Sequence, residues 1–136
     1  MQILIVEDDA ILAMVCAMAL EGAGHTIVGP VHDAASFQQL SGLGGTDLAL
    51  VDINLAGADE GLEIARALRK QQIPSLFISG QLGAARENTS FALGLLRKPY
   101  DIEDLLDSVS YLQNSFFPGS GPAAQKPVGL EIFDQV

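Results

Sequence analysis

A chain of 136 residues and 14.3 kDa is one domain, long enough to bury a real core. Nearly half of the residues are hydrophobic and 18% are charged, a balance that excludes a globally disordered polar chain. The formal net charge of −10, with seven Lys and Arg in no long run, argues against sequence-independent binding to nucleic acid.

No stretch reaches the ~18 consecutive apolar residues that span a bilayer, and no basic segment precedes the first apolar run. The single Cys16 excludes an internal disulfide and is expected as a small core residue. A cytoplasmic protein without membrane contact is the expectation.

Met1-Gln2-Ile3-Leu4-Ile5-Val6 predicts a buried first strand that runs into Glu7-Asp8-Asp9. Asp9 or Ala10 opens a helix to about Glu21, stopped by Gly22 and Gly24. Leu12, Val15, Cys16, Ala19 and Leu20 form its expected core stripe, with Ala10, Met14, Ala17 and Met18 facing outward. Such an outer face is either a partner-docking surface or an ordinary alanine-rich helix with exposed methionines.

A second strand over 26–29 ends at Pro30, and Asp33 caps a helix through Leu40 that the glycines from 42 to 45 break. The third strand, Asp47-Leu48-Ala49-Leu50-Val51, runs into Asp52-Ile53-Asn54, and a glycine-containing loop over 54–60 follows. Residues 61–70 carry Leu62, Ile64, Ala65 and Leu68 at helical spacing. Pro74 introduces Ser75-Leu76-Phe77-Ile78, which meets Ser79-Gly80. The segment 81–90 is the weakest helix, diluted by Gly83, Asn88, Thr89 and Ser90. Gly94-Leu95-Leu96-Arg97 then leads into Lys98-Pro99-Tyr100, and Asp101 caps a last helix with Ile102, Leu105, Leu106, Val109 and Leu112 inward.

Five alternations of strand and helix predict an α/β fold with a five-stranded parallel sheet covered on both faces. This domain is expected over 1–115. Pro118-Gly119-Ser120-Gly121-Pro122 reads as a linker opening a tail over 116–136. The tail either frays or docks Leu130, Ile132 and Phe133 on the domain or on a second copy.

In open α/β sheets the ligand site lies at the carboxyl ends of the strands. There Glu7, Asp8 and Asp52 are expected to converge. Two like charges about 4 Å apart repel by roughly 4 kcal/mol at an effective dielectric near 20. A hard cation that takes oxygen ligands, such as Mg²⁺, relieves that repulsion and lets an anionic phosphoryl group approach. Asp52 is then a candidate nucleophile, Lys98 a mobile positive charge for a phosphoryl oxygen, and Ser79 a hydroxyl donor to another. Gly80 leaves room for the incoming donor.

As an ordered set, Val6-Glu7-Asp8, Val51-Asp52-Ile53-Asn54, Ser79 and Lys98-Pro99-Tyr100 resemble the receiver domain of two-component response regulators, over about residues 1–115. The resemblance implies a flavodoxin-like, CheY-like three-layer sandwich. It also implies Mg²⁺-dependent phosphorylation of Asp52 by a histidine kinase or a histidine phosphotransfer protein. By it, Glu7, Asp8, Asp52 and the backbone carbonyl of Asn54 hold the metal, and Ser79 and Lys98 grip the phosphoryl group. Receivers commonly place an aromatic residue three positions before the lysine; here that residue is Leu95. This departure, with Pro74-Ser75-Leu76-Phe77-Ile78-Ser79-Gly80, is similar to a subgroup of stand-alone receivers carrying a Pro-Phe-x-Phe-Ala-Thr-Gly motif. It implies a switch segment built on Gly80, Gln81 and Leu95, with signalling through the ordering of residues 80–90.

The expected protein is a single-domain response regulator, not an enzyme on an external substrate, that signals by protein contacts or acts as a phosphate sink. Its rivals are a phosphorylation-independent interaction domain and an Mg²⁺-dependent phosphohydrolase. The hydrolase generally wants an acid–base carboxylate two residues after the nucleophile, where this chain has Asn54.

Overall fold

The computed structural model describes residues 1–54, 60–117 and 125–134. Along the chain run β1 (Gln2–Val6), α1 (Ala10–Gly22), β2 (Thr26–Val31), α2 (Ala34–Gln39), β3 (Leu48–Asp52) and α3 (Glu60–Lys70). They are followed by β4 (Ser75–Ser79), α4 (Leu82–Arg86), a 3-10 turn (Thr89–Phe91), β5 (Gly94–Arg97), α5 (Ile102–Phe116) and β6 (Leu130–Ile132). The sheet order is β2-β1-β3-β4-β5-β6. Its first five strands are parallel, and β6 runs antiparallel to β5.

Successive strand residues point to opposite faces, and both faces here are apolar. Ile3, Ile5, Leu50, Leu76, Ile78 and Leu96 meet the buried residues of α1 and α5 on one side. Leu4, Val6, Val51, Phe77 and Leu95 meet α2, α3 and α4 on the other. β3 and β4 are buried at every position, as central strands of a doubly covered sheet must be. Three aspartates close helix starts: Asp9 accepts from the Ile11 and Leu12 N–H groups, Asp33 from Ser36, and Asp101 from Asp104. Among the described residues no helix is long and apolar enough to cross a membrane.

Three expectations need correction. The sheet has six strands, not five, because residues within the supposed tail pair with β5. Leu130 and Phe133 are buried and Ile132 half-buried, and the Phe133 ring meets Phe77 edge-on at 6.4 Å between centroids. Burying a side chain of this kind stabilises by about 1.5–3 kcal/mol, enough to hold a three-residue strand that backbone pairing alone does not. The docking alternative therefore describes residues 130–133; the linker motif over 118–122 lies outside the described residues.

Second, β2 continues through Pro30 to Val31. It is the edge strand, where a missing N–H faces away from the ladder, and its register against β1 shifts between Leu4 and Val6. Third, α1 buries Ala13, Cys16 and Leu20, while Val15 is 40% exposed and Ala17 half-buried. The helix is apolar almost all round, so its periodicity could not choose a face. The exposed large residues are Ile11, Met14, Val15 and Met18, a stripe at i, i+3, i+4, i+7. In α5, Ser108 joins Leu105, Val109 and Leu112 inside, and Ile102 and Leu106 are half-buried.

Candidate functional site

The strand order reverses at β1, which has β2 on one side and β3 on the other, and a crevice opens at the carboxyl ends of β1 and β3. Glu7 and Asp8 leave the end of β1, and Asp52 closes β3. One carboxylate oxygen from each lies within 4.8 Å of the other two. Glu7 and Asp52 are buried, at 7% and 3% exposure, and Asp8 is exposed.

Asp52 is held from two sides. Its Oδ1 accepts the Asn54 N–H at 2.9 Å, and its Oδ2 accepts from Lys98 Nζ at 3.1 Å. The same ammonium stands 4.0 Å from Glu7 Oε2. Lys98 is itself fixed by β4, since its backbone N–H donates to the Ser79 carbonyl at 2.9 Å. Two buried carboxylates thus share one ammonium, with Asp8 beside them. Burial pushes the Glu7 carboxyl up to about 8; the hydrogen bond and charge of Asp52 and the charge of Asp8 add to this, against the pull of Lys98.

A crowded, partly dry set of oxygen donors of this kind suits a divalent cation, which would compete with the proton that burial favours on Glu7. All-oxygen donors suit Mg²⁺ better than a thiol- or imidazole-preferring metal.

Ser79 is fully buried at the end of β4. Its hydroxyl accepts the Gln81 N–H at 2.8 Å, donates to the Gln81 carbonyl at 3.2 Å, and lies 3.4 Å from Asn54 Nδ2. Gln81 is the residue that opens α4, so this hydroxyl anchors the start of that helix. At Gly80 an added Cβ would meet nothing closer than Lys98 Cβ at 3.8 Å, which leaves the approach from that side open. Leu95 is buried beneath α4. Of the expected partner-docking residues, Ala10, Met14 and Met18 lie on the exposed face of α1, and Ala17 does not.

Several contributors escaped the sequence reading. His32 Nδ1 lies 2.8 Å from the Glu7 carbonyl and fastens the end of β1 to the chain after β2. Tyr100 meets Cys16 Sγ through its hydroxyl at 3.3 Å, and burial pushes that phenol well above its usual range. With Leu12, Lys98 and Pro99 it lines a mainly apolar cavity of about 380 Å³ beside α1.

Gly61 packs α3 onto the backbone of Asp52 and Ile53; a Cβ there would run into the Asp52 carbonyl and come within 2.6 Å of Ile53 Cα. The sequence offered only a glycine at a helix start. Gly61→Ala should destabilise the fold by about 1–3 kcal/mol and misplace Asp52. Chemical denaturation checks the first, and a wild-type melting point would show that α3 gives way freely.

Comparison with known proteins places this geometry. The response regulator receiver domain model matches residues 3–110. Among curated proteins, the uncharacterized transcriptional regulatory protein YkoG of Bacillus subtilis is 33% identical over 109 residues, covering 76% of this chain and 47% of that protein. The transcriptional regulatory protein PdtaR of Mycobacterium tuberculosis is 26% identical over 119 residues, covering 85% of this chain and 58% of its own length. The chain therefore spans about half the length of these curated relatives.

Among solved structures, the receiver domain of NtrX from Brucella abortus superposes with a TM-score of 0.72 at 24% identity, over 83% of this chain and 98% of that one. The response regulator TrrA of Thermotoga maritima, solved in complex with Mg²⁺ and BeF, gives 0.66 at 21% identity, over 79% and 95%. With its strand order, its acidic crevice and a family match over most of its length, the chain belongs to the response regulator receiver domain family.

Proposed function

We propose that this receiver domain accepts a phosphoryl group on Asp52 from a histidine kinase or histidine phosphotransfer protein. The observation that carries the reading is a buried carboxylate held by Lys98 at 3.1 Å inside a three-carboxylate cluster. An Asp52 oxygen attacks the donor phosphorus; the new P–O bond makes an acyl phosphate as the P–N bond to the donor imidazole breaks. The Asn54 N–H orients the carboxylate. Lys98 passes from Asp52 to a phosphoryl oxygen, and Ser79 turns its hydroxyl to another.

Glu7, Asp8, Asp52 and the Asn54 carbonyl are the residues that would hold Mg²⁺, which when bound offsets the negative charge gathering on the transferring group. Glu7 gives up its proton to make this set. A reseating of residues 80–90, beginning at Gln81 on the Ser79 hydroxyl, then carries the signal to a protein target, or the protein serves as a phosphate sink. A long-lived acyl phosphate supports this reading, and repeated turnover of a phosphate ester supports a phosphohydrolase.

The donor reaches Asp52 beside α1. The Ile11, Met14, Val15 and Met18 stripe continues toward the apolar cavity of Leu12, Pro99 and Tyr100, and together they suit the side of a helical bundle bearing a phosphohistidine. Met14→Lys should slow transfer from the cognate donor by about tenfold or more while leaving phosphorylation by acetyl phosphate unchanged. Stopped-flow transfer rates decide it. Equal slowing with both donors would remove this surface from the reading.

A further inference from the structure

β6 is fastened to the domain at three places. Its neighbours in the chain bond β5: the Arg97 N–H donates to the Gly129 carbonyl, and the Phe133 N–H donates to the Leu93 carbonyl, each at 2.9 Å. Arg86, the last residue of α4, forks onto Glu131, with Nη2 to Oε1 at 2.8 Å and Nε to Oε2 at 3.2 Å. Two residues on, Phe133 enters the core against Phe77 of β4. β5 is also shaped to receive the strand. A Cβ at Gly94 would collide with the Glu131 carbonyl, so the close approach of the two backbones needs glycine at this position.

α4 links this strand to the site. Its start hangs on the Ser79 hydroxyl, and its last residue holds Glu131. The helix has five residues, so only about 8 Å of rise separates the two ends. On the reading that Asp52 accepts a phosphoryl group and Ser79 turns to it, we propose that phosphorylation releases Leu130–Ile132 from the edge of β5.

The Ser79 hydroxyl has one proton, now given to the Gln81 carbonyl. Committing that proton to a phosphoryl oxygen strips the Gln81 carbonyl of its donor and reseats the first turn of α4. Arg86 moves with the helix, and the fork onto Glu131 opens. Release bares the backbone groups of β5 and the slot that held Phe133, an edge and an apolar recess of the kind that captures an extended segment. Linkage makes the effect reciprocal: a chain with β6 displaced takes the phosphoryl group more readily.

Residue-resolved amide exchange on the full chain, with and without beryllofluoride and Mg²⁺, tests this. Bound beryllofluoride is read separately by fluorine NMR. With it bound, the Arg97 and Phe133 amides should exchange at least about fivefold faster, the low end of ordinary site-to-site coupling. The Lys98 amide, bonded to Ser79 within the parallel sheet, should not change. Gly94→Ala, aimed at the backbone collision, and the gentler Glu131→Gln should speed exchange at Arg97 and Phe133 without the probe and hasten phosphorylation by acetyl phosphate. Bound beryllofluoride with unchanged exchange at both amides overturns strand release and leaves the acceptor reading standing. Failure of the folded wild type to bind beryllofluoride strikes the acceptor reading and takes strand release with it.

Discussion

Asp52→Asn should abolish phosphorylation completely, while the protein stays folded. Incubated with acetyl phosphate and Mg²⁺, the wild type should gain the mass of one phosphoryl group and the variant none. The amide is nearly the same size as the carboxylate, so the cavity at the end of β3 is kept, but an amide oxygen is too weak a nucleophile to form an acyl phosphate. The electrostatic consequence has a definite sign. Removing the Asp52 charge takes away one of the influences that hold the Glu7 carboxyl high, and leaves the Lys98 ammonium to Glu7, which stands 4.0 Å from it. Glu7 should therefore ionise at lower pH in the variant, and stability near neutral pH should fall little. A phosphoryl gain in Asp52→Asn would move the acceptor elsewhere, and a gain in wild type without Mg²⁺ would remove the metal from the chemistry.

The site was legible in the sequence because strand ends announce themselves. Val6, Val51 and Ile78 each close an apolar run, and the residue types that follow are those a phosphoryl site requires, so the convergence of Glu7, Asp8, Asp52 and Lys98 could be foreseen. What was not legible depends on the third dimension. In α1 nearly every position is apolar, so the pattern could not tell that Val15 faces out and Ala13 in. Phe133 lies 56 residues from Phe77, and nothing local to Leu130–Ile132 distinguishes a docked strand from a frayed end.

Glycine was the subtler loss. Gly61 and Gly94 read as a helix start and a strand start, but each marks a place where another backbone comes too close for a Cβ. That the polypeptide after α5 returns to extend the sheet is a matter of surfaces meeting, not of composition.

Mg²⁺ affinity should rise about tenfold per pH unit between about pH 6 and 8 and then level off. Glu7 binds a proton up to about 8, well above an ordinary glutamate, so below that value each metal ion that enters must expel one proton. The sign is fixed by that direction: protons compete with the cation, and raising pH removes the competitor. The same shift has an opposite effect on the metal-free fold. An unfolded glutamate ionises near 4.5, whereas Glu7 in the fold resists ionisation until about 8. The metal-free protein therefore loses stability across that window as pH rises, and bound Mg²⁺ should restore it.

Calorimetric titrations in buffers of different ionisation enthalpy should count close to one proton released per Mg²⁺ near pH 7. Glu7→Gln carries no titrating proton, so its weaker Mg²⁺ binding should be nearly flat over the same range. A wild-type affinity that does not change between pH 6 and 8, with no proton released, would mean that Glu7 is already ionised in the metal-free protein, and that the Lys98 ammonium outweighs burial and the two neighbouring aspartates.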